Sequence, residues 1–278
     1  MVNDIQKGAE QFAIYLTENI PQTSRDKVKY YLSGSLAMLL LSISKKIKPL
    51  KSDSNGNITF DFAEKEITGD AKSCFEFGVR PLSVDIDLVE IKDADFSNEN
   101  NTKIYNLTKI KDNCPNWYNL CPSWHGCNGT MYVDVLSDVR EISSHNIAVV
   151  ELEKNKKILI ANPTDLMFHK FAEMCLIDKD KNFYKYEKDC KDLSCLYNGL
   201  TKLNLLPENT QNYLKMMTKA NNFSAVNNLL YYDYSDKIKQ IFQDSKNFIE
   251  PTNQKNYQNM ITEINNFNEQ ALSNLYSK

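Results

Sequence analysis

The sequence predicts an α/β (α+β) chain: a mixed sheet flanked by helices, followed by an all-helical bundle. Three observations predict it. Apolar and polar residues alternate with period two in 83–90 and again in 131–136, which is the pattern of half-buried strands. A short apolar strand at Val28–Leu32 runs through Ser33-Gly34-Ser35 directly into the apolar run that begins at Leu36. From Asn162 onward the apolar residues recur at helical intervals instead. The expected organisation is an α/β part over 1–161, with an inserted excursion at 48–79, and a helical part over 162–278.

Composition bounds the reading without specifying it. At 278 residues the chain is long enough to bury a substantial core. Its 25% charged and 42% hydrophobic residues are ordinary for a globular protein and exclude global disorder. A net charge of −3 carries no overall basic signature, so a nucleic-acid partner would need a local patch. The richest apolar run, Leu36 to Ile43, stops at Lys45-Lys46 and is too short to span a bilayer, so no membrane partner is expected. Seven cysteines without paired spacing, and no signal-peptide pattern, point to reduced thiols and a cytoplasmic setting.

The elements follow in order. Ile5, Ala9, Phe12, Ala13 and Leu16 share one helical face over 3–17, and Pro21 closes the segment. After the Gly-Ser turn, a mostly apolar helix is expected to run to about Ile47. Asp53-Ser54-Asn55-Gly56-Asn57 and Gly69-Asp70 are turn signals around an alternating stretch at 58–62, which reads as a hairpin or flap. Residues 92–102 read as a polar loop, and 113–130 as a turn-rich loop. That loop holds Cys114, Cys121, His125 and Cys127; these are zinc-ligand types, but the C-x6-C-x3-H-x-C spacing fits no common structural zinc pattern, and ordinary loop or core cysteines are preferred. Strands are expected at 131–136, 147–152 and 157–160. Asn162 as N-cap and Pro163 at the first position open a helix to about Ile177. A second helix from Tyr184 is expected to stop at Asn198-Gly199, with further helices at 207–220, 223–231, 234–248 and 252–276.

Chemistry concentrates in the two strands with buried-edge alternation. Asp85 and Asp87 lie two apart on one strand, hence on one face, where like-charge repulsion favours a shared cation. Asp134 is an aspartate inside a second strand, an unusual place by propensity. Gly34 and Ser35 sit where a strand turns into a helix, a place that offers backbone N–H groups and a hydroxyl to phosphate.

In this order the motifs resemble the nucleotidyltransferase superfamily with the polymerase-β-like core. More narrowly, the chain is similar to the AbiEii/MenT group, the toxin halves of bacterial abortive-infection and toxin–antitoxin systems. The resemblance spans roughly 28–200. It rests on Gly34-Ser35, on Arg80-x-x-Ser83-x-Asp85-Ile86-Asp87-Leu88, on Asp165-x4-Lys170, and on Lys188-Asp189-x-x-Asp192-Leu193. It departs from the family in the long 48–79 excursion between the Gly-Ser turn and the D-x-D strand, a candidate lid, specificity element or docking surface.

The resemblance implies Mg²⁺-dependent (or Mn²⁺-dependent) transfer of a nucleotide from a nucleoside triphosphate (NTP) to an acceptor. A tRNA 3′ end is the leading acceptor and a cognate antitoxin an expected protein partner. Transfer to a protein hydroxyl, as in AMP-transferring relatives, is the alternative enzyme reading, and a silent binding module the alternative of another class. Asp85, Asp87 and Asp134 would hold the metal, and Gly34 and Ser35 the β/γ-phosphates. Arg80, Ser83, Lys170 and Lys188 are assigned to the nucleotide. Asp192 would orient Lys170 or the nucleotide. Lys188 and Asp189 fit a helix-face ion pair equally well. A basic groove for RNA could draw on Lys170, Lys185, Lys188 and Lys191.

Overall fold

A computed structural model describes residues 2–20, 22–24, 27–28, 30–50, 74–75, 87–91, 103–120, 130–138, 147–152, 156–220 and 225–277. The chain forms two compact units, Met1–Asn162 and Pro163–Lys278. It is an α+β protein: the first unit carries a mixed sheet and the second is helical.

In the first unit, helix α1 (Val2–Asn19) buries Ala9, Phe12, Ala13 and Leu16, the face its spacing predicts. Short strands β1 (Thr23–Ser24) and β2 (Lys27–Val28) pair antiparallel. Strand β3 (Tyr30–Leu32) then leads into α2 (Gly34–Ile43), whose residues from Leu36 to Ile43 are all buried. The expected continuation of this helix to Ile47 is not what forms. The hydroxyls of Ser42 and Ser44 bond the carbonyls of Leu39 and Leu40, drawing the chain off the helix. Lys46–Pro49 becomes strand β4, with Lys46 exposed and Ile47 fully buried. The alternation in Lys46-Ile47-Lys48 was the available signal.

Strands β5 (Asp87–Ile91), β6 (Lys103–Asn106), β7 (Thr130–Asp138), β8 (Ile147–Glu151) and β9 (Lys157–Ala161) complete the sheet. The strand order is β4-β8-β9-β3-β5-β7-β6. β3 runs antiparallel to β5 and parallel to β9, and β5 runs parallel to β7. Strands β8 and β9 carry almost unbroken apolar runs and are buried along their length, as expected for central strands covered on both faces. Gln22 adds a side-chain rung: its amide donates to the Leu159 carbonyl at 2.7 Å and accepts from the Leu159 N–H at 2.8 Å. The buried amide so satisfies both of its polar ends on the backbone of β9.

The turn-rich reading of 113–130 needs correction at its start. Helices α3 (Leu107–Asn113) and α4 (Pro115–Leu120) occupy this stretch, with Pro115 at the first position of α4, where its missing N–H costs nothing. The expected hairpin at 58–62 and the loop at 92–102 lie outside the described residues, as do Cys121, His125 and Cys127. Cys114 is fully buried at the α3–α4 junction, its thiol donating to the Gln11 carbonyl of α1. Burial, with help from the Glu18 charge, pushes that thiol up to about 11.

The second unit starts where Asn162 and Pro163 place it. Helices α5 (Pro163–Leu176) and α6 (Phe183–Lys202) form a hairpin, followed by α7 (Thr210–Ala220), a 3-10 turn at Ala225–Leu230, α8 (Ser235–Ser245) and the long α9 (Gln254–Tyr276). Leu193, Leu196, Tyr197, Leu214, Ile241, Tyr257 and Ile264 are buried at its centre. Two buried polar side chains here are well paired. The Ser245 hydroxyl bonds the Ile241 carbonyl and the Tyr257 hydroxyl, and Asn268 donates to the Leu229 and Tyr232 carbonyls while accepting from the Tyr234 N–H. Among the described residues no helix is long and apolar enough to cross a membrane.

Candidate active site

The site is built from the backbone of three strands. Strand β3 ends at Leu32, and Ser33 follows in extended conformation with φ −129° and ψ −168°. Gly34 then takes φ 58°, the left-handed region in which a Cβ would crowd the following carbonyl. This glycine turns the chain sharply enough for α2 to start at once. Ser33 stands at the N-cap of α2 without a side-chain cap hydrogen bond. The N–H groups of the first helical turn point outward with the positive end of the helix dipole behind them, a setting suited to anions.

Strand pairing brings the carboxylate positions to this turn. Leu32 of β3 lies opposite Leu88 of β5, so Ser33 and Gly34 leave the sheet beside Asp87. Asp87 in turn is the register partner of Asp134 on the parallel strand β7. Residues 47 positions apart in sequence therefore sit one strand spacing apart, about 4.8 Å between neighbouring backbones. Gly34, Asp87 and Asp134 thus share one end of the sheet. Arg80, Ser83 and Asp85 lie outside the described residues.

The expected donor set is three carboxylates, hard oxygen ligands of the kind Mg²⁺ and Mn²⁺ take. The Asp87–Asp134 register fits two of the three. Among the described residues no group of three or more His, Cys, Asp or Glu is placed to hold a metal ion.

The helical unit holds a second polar cluster. Lys170 on α5 is 13% exposed, and its Nζ donates to Asp189 Oδ1 on α6 at 3.2 Å and to Glu173 Oε2 at 3.3 Å. Asp189 is wholly buried, and Lys188 Nζ lies 3.8 Å from the same Oδ1. Asp192, one turn further along α6, is 4% exposed. Burial alone would depress the Lys170 ammonium; the charges of Glu173, Asp189 and Asp192 outweigh it and hold the group above its ordinary range. His169 goes the other way: burial lowers it, more than the Glu173 charge raises it. Lys191 is paired with Glu187 at 2.8 Å.

Asp165, the first residue of the Asp165-x4-Lys170 pattern, lies in the first turn of α5 and accepts from the Tyr213 hydroxyl of α7. Burial and this carboxylate push the Tyr213 phenol well above its ordinary value. Sequence reasoning gave the orienting role beside Lys170 to Asp192, and it is Asp189 that makes the direct bond. Glu173 was legible as an i,i+3 partner of Lys170. Tyr213 carried no local signal, since it meets Asp165 only through the packing of α7 on α5. Compared with protein-family models, curated proteins and solved structures, the chain matches none.

Proposed function

We propose that the protein is a nucleotidyltransferase that moves a nucleotide from a nucleoside triphosphate to an RNA acceptor, a tRNA 3′ end being the acceptor the resemblance suggests. The observation that carries this reading is the Asp87–Asp134 register beside the Gly34 turn. A phosphate cradle and paired carboxylates at one sheet end are what in-line phosphoryl chemistry requires.

In this reading Asp85, Asp87 and Asp134 hold Mg²⁺ or Mn²⁺, which when bound neutralises charge developing on the phosphates. The first-turn N–H groups of α2 and the Ser35 hydroxyl bind the β- and γ-phosphate oxygens. Asp134 takes the proton of the acceptor hydroxyl. The acceptor oxygen forms its bond to the α-phosphorus while the bond to the pyrophosphate oxygen breaks, and pyrophosphate leaves. Arg80 and Ser83, just upstream of the strand, and Lys170, Lys188 and Asp192 of the helical unit are assigned to nucleotide binding by the resemblance alone. A toxin role, with an antitoxin as partner, rests on the same ground.

The test is direct. Each α-labelled NTP is incubated with the protein, Mg²⁺, and either total RNA or lysate protein. Label is expected in RNA, and Asp87→Asn and Asp134→Asn are each expected to lower transfer by about a hundredfold or more, the scale of losing a charge-stabilising group. Label in protein would reassign the acceptor. No label in either pool, or full transfer by a folded Asp87→Asn variant, overturns the reading.

A further inference from the structure

The end of the sheet away from Gly34 carries a concentration of lysines that the carboxylate site does not use. Leu32 of β3 pairs in parallel with Ile160 of β9, so β9 runs towards the Gly34 turn and Lys157 starts it at the opposite end. Lys157 lies opposite Glu151 of β8, and Glu151 lies opposite Lys46 of β4. The three side chains therefore share one face on adjacent strands, with the two lysine backbones about 10 Å apart across Glu151. Lys46 is exposed, and Lys48 follows two residues along the same face of β4. Lys45 and Lys156 extend the cluster outward. The Lys45 N–H bonds the Glu151 carbonyl, and the Leu152 N–H bonds the Lys156 carbonyl to close the β8–β9 hairpin.

Edge protection explains only part of this arrangement. β4 is the outermost strand at this side of the sheet, and lysines on an edge strand discourage pairing with another chain. β9 lies inside the sheet, between β8 and β3, so Lys157 guards no edge. A ladder of alternating charges does not account for the balance either. Lys45, Lys46, Lys48, Lys156 and Lys157 stand against the carboxylates of Glu151 and Glu18, the latter 3.4 Å from Lys156 Nζ. This local excess of positive charge sits on a chain whose overall charge is −3. Large exposed apolar side chains, which a membrane-surface site would add to its lysines, occur among the described residues only in the helical unit.

We propose that this lysine cluster binds the phosphodiester backbone of a nucleic acid, as a contact surface separate from the Gly34 turn. Lysine ammonium groups are compact point charges that hold phosphates without reading sequence. The cluster supplies the local patch that a chain of net negative charge needs for such a partner. The proposal goes beyond nucleotide transfer and needs neither a metal ion nor an NTP.

Fluorescence anisotropy of a labelled mixed-sequence RNA strand, and of its DNA counterpart, is followed across a salt series without NTP or divalent cation. The proteins are wild type, Lys46→Gln with Lys157→Gln, Lys45→Gln with Lys156→Gln, and Lys181→Gln with Lys239→Gln. Wild type is expected to bind, with log affinity falling linearly with log salt. Each cluster pair is expected to flatten that slope by about 1.4, at about 0.7 per lost phosphate contact, and to weaken binding about tenfold or more near 0.1 M salt. The helical-unit pair removes equally many lysines, 81% and 71% exposed, and is expected to bind as wild type does. Thermal unfolding checks that each variant folds, and the Lys45 and Lys156 pair decides the matter should loss of the half-buried Lys157 unfold the protein. Binding of either strand with these losses supports the inference, and a preference for RNA would add the 2′-hydroxyl to the contact. No binding by wild type, wild-type slopes in the folded cluster pairs, or an equal loss from the helical-unit pair overturns it. Cluster-dependent binding to anionic phospholipid vesicles without binding to either strand also overturns it. No transfer is measured, so failure here leaves the nucleotidyltransferase reading standing, whereas a protein that binds RNA but labels no acceptor overturns that reading alone.

Discussion

Asn204 shows how single residues set the length of an element. The Asn198-Gly199 pair is a helix-stop signal, yet α6 continues to Lys202. Gly199 is buried, and Asn198 spends its amide on the Phe248 carbonyl and the Glu250 N–H instead of ending the helix. Tertiary contacts thus override a local preference worth about 1 kcal/mol. The stop falls at Asn204, with φ 53°, where the Asn204 N–H bonds the Thr201 carbonyl and the Leu205 N–H bonds the Leu200 carbonyl. That pair of bonds is a Schellman closure with Asn204 at the left-handed position. Asn204→Ala is therefore expected to cost about 1 kcal/mol, and Asn204→Gly to be neutral or stabilising. Urea unfolding of the three proteins checks this, and equal midpoints for wild type and Asn204→Ala would contradict it. Gly34 was legible from its Ser-Gly-Ser setting because a strand that meets a helix without a linker needs a left-handed residue there.

At the scale of elements, periodicity was the reliable guide and boundaries were not. Strands β7, β8 and β9 and helices α1 and α5 form where alternation or helical spacing places them, because burial of one face is what each pattern encodes. The α2–β4 boundary was misplaced because Ile47 prolongs an apolar run that the serine hydroxyls interrupt. The adjacency of β5 and β7 was legible only through the resemblance, which assigns Asp87 and Asp134 to one metal. Register between strands far apart in sequence depends on the whole sheet, so the direct opposition of Asp87 and Asp134 emerges only in the fold. Helix α8 is tied to the α5–α6 turn by two lysines. Lys179 donates to Asp244 at 2.8 Å, and Lys237 donates to the Ile177 carbonyl at 3.2 Å. Burial works to raise Asp244, but hydrogen bonds from Lys179 and Gln240 outweigh it and hold the carboxyl below its ordinary 3.8. A depressed folded value stabilises the fold above the unfolded value, and that contribution fades as pH falls through the folded one. Asp244→Asn should thus cost about 1 kcal/mol near neutral pH. The difference from wild type should shrink once pH drops below 3.8. Denaturation at neutral and at strongly acidic pH tests it; a gap that stays constant would assign the cost to packing.

For the whole molecule, the division at Asn162–Pro163 makes a claim about autonomy. The helical unit carries its own core: Leu193, Leu196 and Leu200 of α6, Leu214 of α7, Ile238 and Ile241 of α8, and Tyr257, Ile261 and Ile264 of α9 are all buried. Each such side chain contributes about 1.5–3 kcal/mol of burial. Several of its polar groups are also satisfied from within. The Thr210 N–H at the start of α7 is taken by Glu263 of α9, the Thr164 hydroxyl by the Leu205 carbonyl, and the Asn268 amide by the turn before α8. A fragment beginning at Pro163 is therefore expected to show a helical circular dichroism spectrum and one cooperative thermal transition. Asp244→Asn should lower that transition in the fragment as it does in the full chain, since both partners of the Lys179 contact lie inside the unit. A fragment that is unfolded, or that melts without cooperativity, would show that the helices depend on the sheet-bearing unit for their packing.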